Sequence, residues 1–242
     1  ETQVEVSGHS WNVYRYAADY LHDGAVVTLL AQVWCQRTVA GLSRRTQFLY
    51  LLVFISRYLD LFYHPQHLYL VVHKLFFIGT TLLALLGFLA WRGTYEGDKD
   101  TSSSWLIIGA ALLVSFFSTG EDTLLHVMWT FSQILEGFAM VPQYVFCYRA
   151  DAAGEAEERR GVRVYIVAMG LYRFCYVLNF VHKKSKVAAY RDPHSWTFGA
   201  VNFFLFLDYV LYRVAGMSCL RWLTLGLDDG AHRVSSELQQ RL

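Results

Sequence analysis

Inside the stretch FISRYLDLF, Phe54 to Phe62, a guanidinium and a carboxylate interrupt an apolar run. Arg57 and Asp60 stand three residues apart, so on a helix they leave from nearly the same face. In a membrane-like setting each such charge costs about 2.5–3.5 kcal/mol at a helix centre, which leads us to expect that the two form an inward-facing ion pair. Charges recur in the other apolar segments: Arg15, Asp19 and His22, then Lys74, then His126 and Glu136, then Arg173 and Lys183. Internal pairing accounts for any one of them. The whole set exceeds what helix registry needs and points to a polar cavity for a charged, peptide-like or zwitterionic ligand.

Tyrosines and a tryptophan accompany these charges: Tyr14, Tyr16, Tyr58, Trp129, Tyr172 and Tyr176. Tyr14 and Tyr16 suit an interfacial aromatic belt equally well. Tyr172 and Tyr176 are four apart on one helical face, with Arg173 and Asn179 nearby, which suits a cavity wall. His22 has the chemistry of a proton switch between mildly acidic and neutral compartments, although a single membrane histidine also serves as a neutral hydrogen-bonding partner. His64, His67 and His73 resemble a metal cluster only superficially, because no Cys or carboxylate supplements them. Four scattered cysteines form no CxxC pair, so neither a zinc site nor a disulfide framework is expected. No phosphate loop, nucleophile elbow or HExxH occurs, so we expect no enzyme, no catalytic residue, no metal and no cofactor.

The elements that must position these residues are membrane helices. The chain of 242 residues is 55% hydrophobic and 17% charged, where a soluble domain is about 25% charged. Leu75 to Trp91 and Thr101 to Gly120 carry no Asp, Glu, Lys or Arg, and runs of about that length cross a hydrocarbon core. Hydropathy and turn residues predict an all-α polytopic membrane protein of seven transmembrane helices, over 12–34, 46–63, 67–91, 103–119, 122–148, 162–183 and 194–214. Three regions follow: an N-terminal polar extension over 1–11, a seven-helix membrane domain over 12–216 and a polar C-terminal tail over 217–242. The loops after the first, third and fifth helices, with the tail, hold most of the Lys and Arg outside the helices. The opposite side holds only Arg15, Lys183, Lys184, Lys186 and Arg191. The positive-inside rule therefore places the N-terminus outside and the C-terminus in the cytosol. The start ETQVEVSGHSW lacks the apolar region of a cleavable signal peptide.

AGLSRRTQ, SRYLDLF, WTFSQILEGFAMVPQ and GLYRFCYVLN, in this order, closely resemble the KDEL receptor family, the ER lumen protein retaining receptors. The likeness runs from about Asn12 to Tyr212. It implies two three-helix bundles joined by a central helix, similar to PQ-loop and SWEET transporters, with VPQY at Val141 to Tyr144 as the PQ motif. It also implies a pH-dependent receptor for C-terminal retrieval signals of luminal proteins, in the Golgi and ER membranes. Arg15, Arg57 and a base on the sixth helix, here Lys183, would hold the ligand's carboxylates. Asp60 would meet the basic residue that opens the signal, with Trp129 beside it. His22 would sense protons through Glu136 and Tyr172, while Tyr176, Arg173 and Asn179 shape the pocket. Arg57 and Asp60 would satisfy one another when the site is empty and exchange that pair for ligand charges.

The chain departs from the family pattern at three pocket positions. His126 stands where the family has a glutamate, Phe180 replaces a tryptophan, and Lys183 replaces an arginine, exchanging a planar fork for a point charge. The tail LRWLTLGLDDGAHRVSSELQQRL has no lysine-rich retrieval signal, and the stretch before Asn12 has no family counterpart. These departures suit an alternative: a protein of the same fold serving as an accessory subunit of a multi-subunit membrane complex, in an organelle membrane such as the mitochondrial one, with partner subunits on both tails. A SWEET-like solute transporter rests on fold analogy alone. No nucleic-acid partner is expected.

Overall fold

The computed structural model describes residues 12–62, 67–119, 123–154, 159–186 and 191–226. The polar extension over 1–11, the greater part of the HPQH turn and the tail beyond residue 226 lie outside the described residues. Among these residues every regular element is helical. The helices are α1 (Val13–Leu30), α2 (Arg44–Arg57), α3 (Leu68–Ala90), α4 (Ser104–Ser118), α5 (Leu124–Phe138), α6 (Val141–Ala152), α7 (Arg160–Lys186) and α8 (Pro193–Ala215). Four stretches are long and apolar enough to cross a membrane: Leu68–Ala90, Leu124–Ala152, Arg160–Lys186 and Pro193–Ala215.

Local chemistry sets the ends. The Asn12 side chain accepts from the Arg15 N–H, Ser43 from Thr46, and Asp192 from Ser195. Each satisfies one of the donors that a helix start leaves open. Pro193 opens α8, where its missing N–H costs nothing. Gly216 ends it at φ 73°, a left-handed conformation that a side chain would strain. The last turn of α1 widens into a π-turn over Ala31–Cys35, and α2 tightens into a 3-10 turn over Tyr58–Phe62.

One expectation is corrected. The segment over 122–148 is not one helix, because it breaks at Ala139–Met140 into α5 and α6. Pro142 lacks the N–H that the Phe138 carbonyl would receive, and its ring crowds that carbonyl. Beyond α8, residues 219–226 form a further helix. Asp208 anchors its start by accepting from the Cys219 N–H at 2.8 Å and the Ser218 hydroxyl at 2.5 Å.

Packing follows small residues and buried aromatics. α1 lies mainly along α7, α2 against α5 and α3, α5 against α8 and α4, and α7 against α8. Gly170 brings α7 so close to α8 that an added Cβ would stand 2.3 Å from the Phe206 ring. The core holds Leu42, Leu49, Tyr144, Tyr148, Tyr165, Met169 and Tyr172, all fully buried. By contrast Leu82, Leu83, Leu86 and Leu89 of α3 and Phe116 and Phe117 of α4 face outward. Such a surface suits lipid rather than water.

Gln143 follows Pro142 and is fully buried. Its amide donates to the Gly41 carbonyl at 2.8 Å and accepts from the Ser43 N–H at 2.9 Å. Nearby, the Asp100 carboxylate accepts from the Ser43 and Tyr95 hydroxyls, each at 2.7 Å. Burial, with the adjacent carboxylate, raises the Tyr95 pKa above its usual value and keeps that donor protonated. The loops at this end of the molecule are thereby tied to the start of α6.

Candidate functional site

At the opposite end, α1, α2, α3, α5, α7 and α8 enclose a cavity of about 550 Å³. That size lies within the roughly 300–1,000 Å³ typical of small-ligand sites. Its deepest charge is Glu136 of α5, 5% exposed. Arg57 Nη2 stands 2.6 Å from one carboxylate oxygen, and Arg173 of α7 pairs with the other. The Tyr172 hydroxyl donates to the same group at 3.1 Å. A buried carboxylate demands this company, since an unpaired ion there costs several kcal/mol.

The expected Arg57–Asp60 pair does not form. Arg57 crosses to Glu136, and its Nε donates to the Ser132 hydroxyl at 3.1 Å. Asp60 is held instead by Lys74 Nζ at 2.7 and 2.8 Å. Burial explains the choice of partners. The Glu136 side chain is 7% exposed and Asp60 32%, so the long arginine goes where an uncompensated charge is most costly. Lys74, an isolated ammonium in an apolar helix, then neutralises Asp60 at the rim.

His22 of α1 is buried with its ring between Phe77 and Tyr172, at 4.4 Å from each ring centroid. Tyr172 therefore touches both the imidazole and Glu136, and a charge on one group is felt by the other through a single side chain. Toward the mouth, Tyr176 donates to Asp19 at 2.6 Å, and Arg15 lies 4.0 Å from Asp19. Asn12 donates to the buried Asn179 at 2.7 Å, joining the start of α1 to α7. Trp129 places its ring 5.9 Å from the Arg57 guanidinium. Phe180 leans on Trp196 at 5.9 Å, and Lys183 completes this wall.

Arg15, His22, Arg57, Asp60, Trp129, Glu136, Tyr172, Arg173, Tyr176, Asn179, Phe180 and Lys183 all line the one cavity. His126 does not belong to that lining. It is exposed one turn before Trp129 and contacts the Thr123 hydroxyl at 3.3 Å. From the sequence, Lys74 counts among the charges that point to a polar cavity and His73 within a discounted metal cluster, while the lining residues Tyr69, Gln133, Asp192 and Ser195 have no expected role. Lys74 carried a visible signal as an isolated charge in an apolar run. Gln133, which donates to the Ser195 hydroxyl at 2.7 Å, carried none. Cations, anions and hydrogen-bonding hydroxyls thus share the lining of one cavity.

Comparison with known proteins gives a consistent result. The family model for the ER lumen protein retaining receptor matches residues 38–183. An ER lumen protein-retaining receptor of Entamoeba histolytica is 29% identical over 205 residues, spanning 84% of this chain and 94% of the relative. The receptor erd-2.1 of Caenorhabditis elegans is 34% identical over 203 residues, spanning 82% and 91%. That of Petunia hybrida is 32% identical over 210 residues, spanning 83% and 93%.

Proposed function

The chain belongs to the ER lumen protein-retaining receptor family, and from that premise we propose that it is a non-enzymatic receptor. It binds C-terminal retrieval signals of luminal proteins in the Golgi membrane at acidic pH and releases them in the ER at neutral pH. The observation that carries this reading is the Glu136 centre, with two arginines and a tyrosine on one carboxylate and a stacked histidine behind the tyrosine. Protonation of His22 adds a cation beside Tyr172 and Glu136, which changes how firmly Glu136 holds Arg57. An Arg57 drawn less firmly is available to a carboxylate of the ligand. Arg15 and Lys183 at the mouth take the terminal carboxylate, and Asp60 takes the basic residue that opens the signal after Lys74 gives it up. Tyr176, Asn179 and Trp129 shape the remaining walls, with Phe180 contributing apolar surface only.

For the whole chain we propose seven crossings in two three-helix bundles, with α4 as the connecting helix and α5 and α6 forming one broken span. The pairing of α1 with α7 and of α2 with α5 supports it. Those are the contacts expected when the first two helices of one bundle each meet the opposite helix of the other. The names of the relatives favour retention over the accessory-subunit alternative.

Binding of a labelled peptide ending in Lys-Asp-Glu-Leu to the purified chain, at about pH 5.5 and about pH 7.2, tests the function. Acid-dependent binding that is lost in Arg57→Ala and weakened in His22→Ala is the expected result. Absence of binding by folded protein at both pH values would overturn it.

A further inference from the structure

His73 of α3 lines the rim of the cavity, one residue before Lys74 and one turn before Phe77. Both nitrogens of its ring face acceptors. Nδ1 is 3.2 Å from the Tyr69 carbonyl oxygen, and Nε2 is 3.5 Å from an Asp23 carboxylate oxygen on α1. A neutral imidazole carries one N–H and one lone pair. Whichever nitrogen holds the proton, the other lone pair then points at an oxygen. Only the imidazolium donates on both sides. Both side chains are about a quarter exposed, at 24% and 25%, so protons have access to the pair.

The pair also occupies a mechanically useful place. α1 leans mainly on α7 and touches α3 lightly. At the far end of α1 a second link to α3, from the Trp34 indole N–H to the Leu83 carbonyl at 3.3 Å, carries no titrating group. Near the mouth, α3 presents Lys74, which holds Asp60, and Phe77, which covers one face of His22. Asp19 of α1, with Arg15 beside it, acts on Asp23, and the Tyr69 ring of α3 lies 4.2 Å from that of His73, with Tyr16, Asp19, Tyr20 and Asp23 of α1 around Tyr69. Tyr176 of α7 donates to Asp19. His22, adjacent in sequence to Asp23, reaches His73 through Phe77, whose ring lies 6.4 Å from that of His73.

We infer that His73 and Asp23 form a proton-dependent clamp that draws the rim of α3 onto α1 at acidic pH and releases it at neutral pH. His73 is thus a positioning residue for the cavity wall that carries Lys74 and Phe77. Its consequence for ligand rests on the receptor reading above; the clamp itself does not. The sign follows from the geometry: only the doubly protonated ring donates to both oxygens, so an added proton closes the contact. The device adds a second proton to the response that His22 begins.

Two measurements on the full chain test it. Hydrogen–deuterium exchange of residues 68–75, corrected for intrinsic rates, is expected to be slower at about pH 5.5 than at about pH 7.2. His73→Gln removes that difference, and His73→Lys gives protection at both values. In peptide binding, His73→Gln weakens acid-side affinity about two- to fivefold, the scale of a partly exposed ion pair. Asp23→Asn reproduces the loss, and the double variant adds nothing further. A His73→Gln protein that keeps the wild-type pH difference in exchange overturns the clamp, whether or not peptide binds. A wild-type protein that binds no peptide yet shows the exchange pattern keeps the clamp and refutes the receptor reading.

Discussion

Glu136 holds two arginines at once, and this makes the three side chains unequal under mutation. Removing Arg57 leaves the carboxylate paired with Arg173 and hydrogen-bonded to Tyr172. Removing the carboxylate leaves the buried Arg173 and the partly buried Arg57 guanidinium groups with no anion between them. Glu136→Gln is therefore expected to cost about 3–5 kcal/mol of stability, the range for stranding a buried charge. Arg57→Gln should cost clearly less, and on the proposed reading it should abolish peptide binding. Thermal unfolding of both variants in detergent checks the order, and the reverse ranking would show that Arg57 rather than Arg173 is the principal counter-ion. A second prediction concerns Lys74, which occupies Asp60 in the empty site. Lys74→Met should raise the affinity for a signal that opens with lysine several-fold relative to one that opens with a neutral residue. Equal affinities for the two peptides would mean that Asp60 does not read the first position. The residue types at this site were legible in the sequence, because isolated charges in apolar runs stand out. Their pairing was not. It depends on relative burial, and the sequence alone does not say that Glu136 lies deeper than Asp60.

The helices were legible wherever an apolar run was bounded by polar or turn-forming residues. Leu68–Ala90, Ser104–Ser118 and Pro193–Ala215 fall within a residue or two of expectation. The break at Ala139–Met140 was hidden because the hydropathy runs through it, although Pro142 was its signal. What hydropathy cannot supply is the distance between helices. Gly170 sets that distance for α7 and α8, since its missing Cβ leaves the space that the Phe206 ring fills. Gly170→Ala should destabilise the protein by about 1–3 kcal/mol through overpacking. It should also weaken ligand binding, because α7 carries Tyr172, Arg173, Tyr176 and Asn179 into the cavity. Gly79, where an added Cβ would meet nothing within 4 Å, is the matched control in α3. Gly79→Ala should be neutral or slightly stabilising, given the better helix propensity of alanine. A loss of melting temperature as large in Gly79→Ala as in Gly170→Ala would mean that the close α7–α8 approach is not the cause.

At the scale of the whole molecule, the direction from which the cavity is reached decides what it serves. Arg15 at the start of α1, Asp60 beyond the end of α2, Tyr69 and Leu70 at the start of α3, Lys183 near the end of α7 and Asp192 before α8 all line it. These positions lie at one end of the helices, and it is the end from which the first helix begins. The other end carries most of the basic loop residues, some of which also hold the loops together. Arg44 lies over the Tyr95 ring at 4.9 Å, and Arg45 donates to the Ser102 carbonyl. On the proposed topology the positive-inside rule would put that end in the cytosol and open the mouth to the lumen. The proposed seven crossings would put the two termini on opposite sides. A glycosylation acceptor placed before Glu1 should therefore be modified in microsomal membranes, and one placed after Leu242 should not. Modification at both ends would require an even number of crossings. Modification of the C-terminal acceptor alone would turn the mouth toward the cytosol, out of reach of any luminal signal. The cavity would then need a cytosolic ligand, however well its charges suit a peptide terminus.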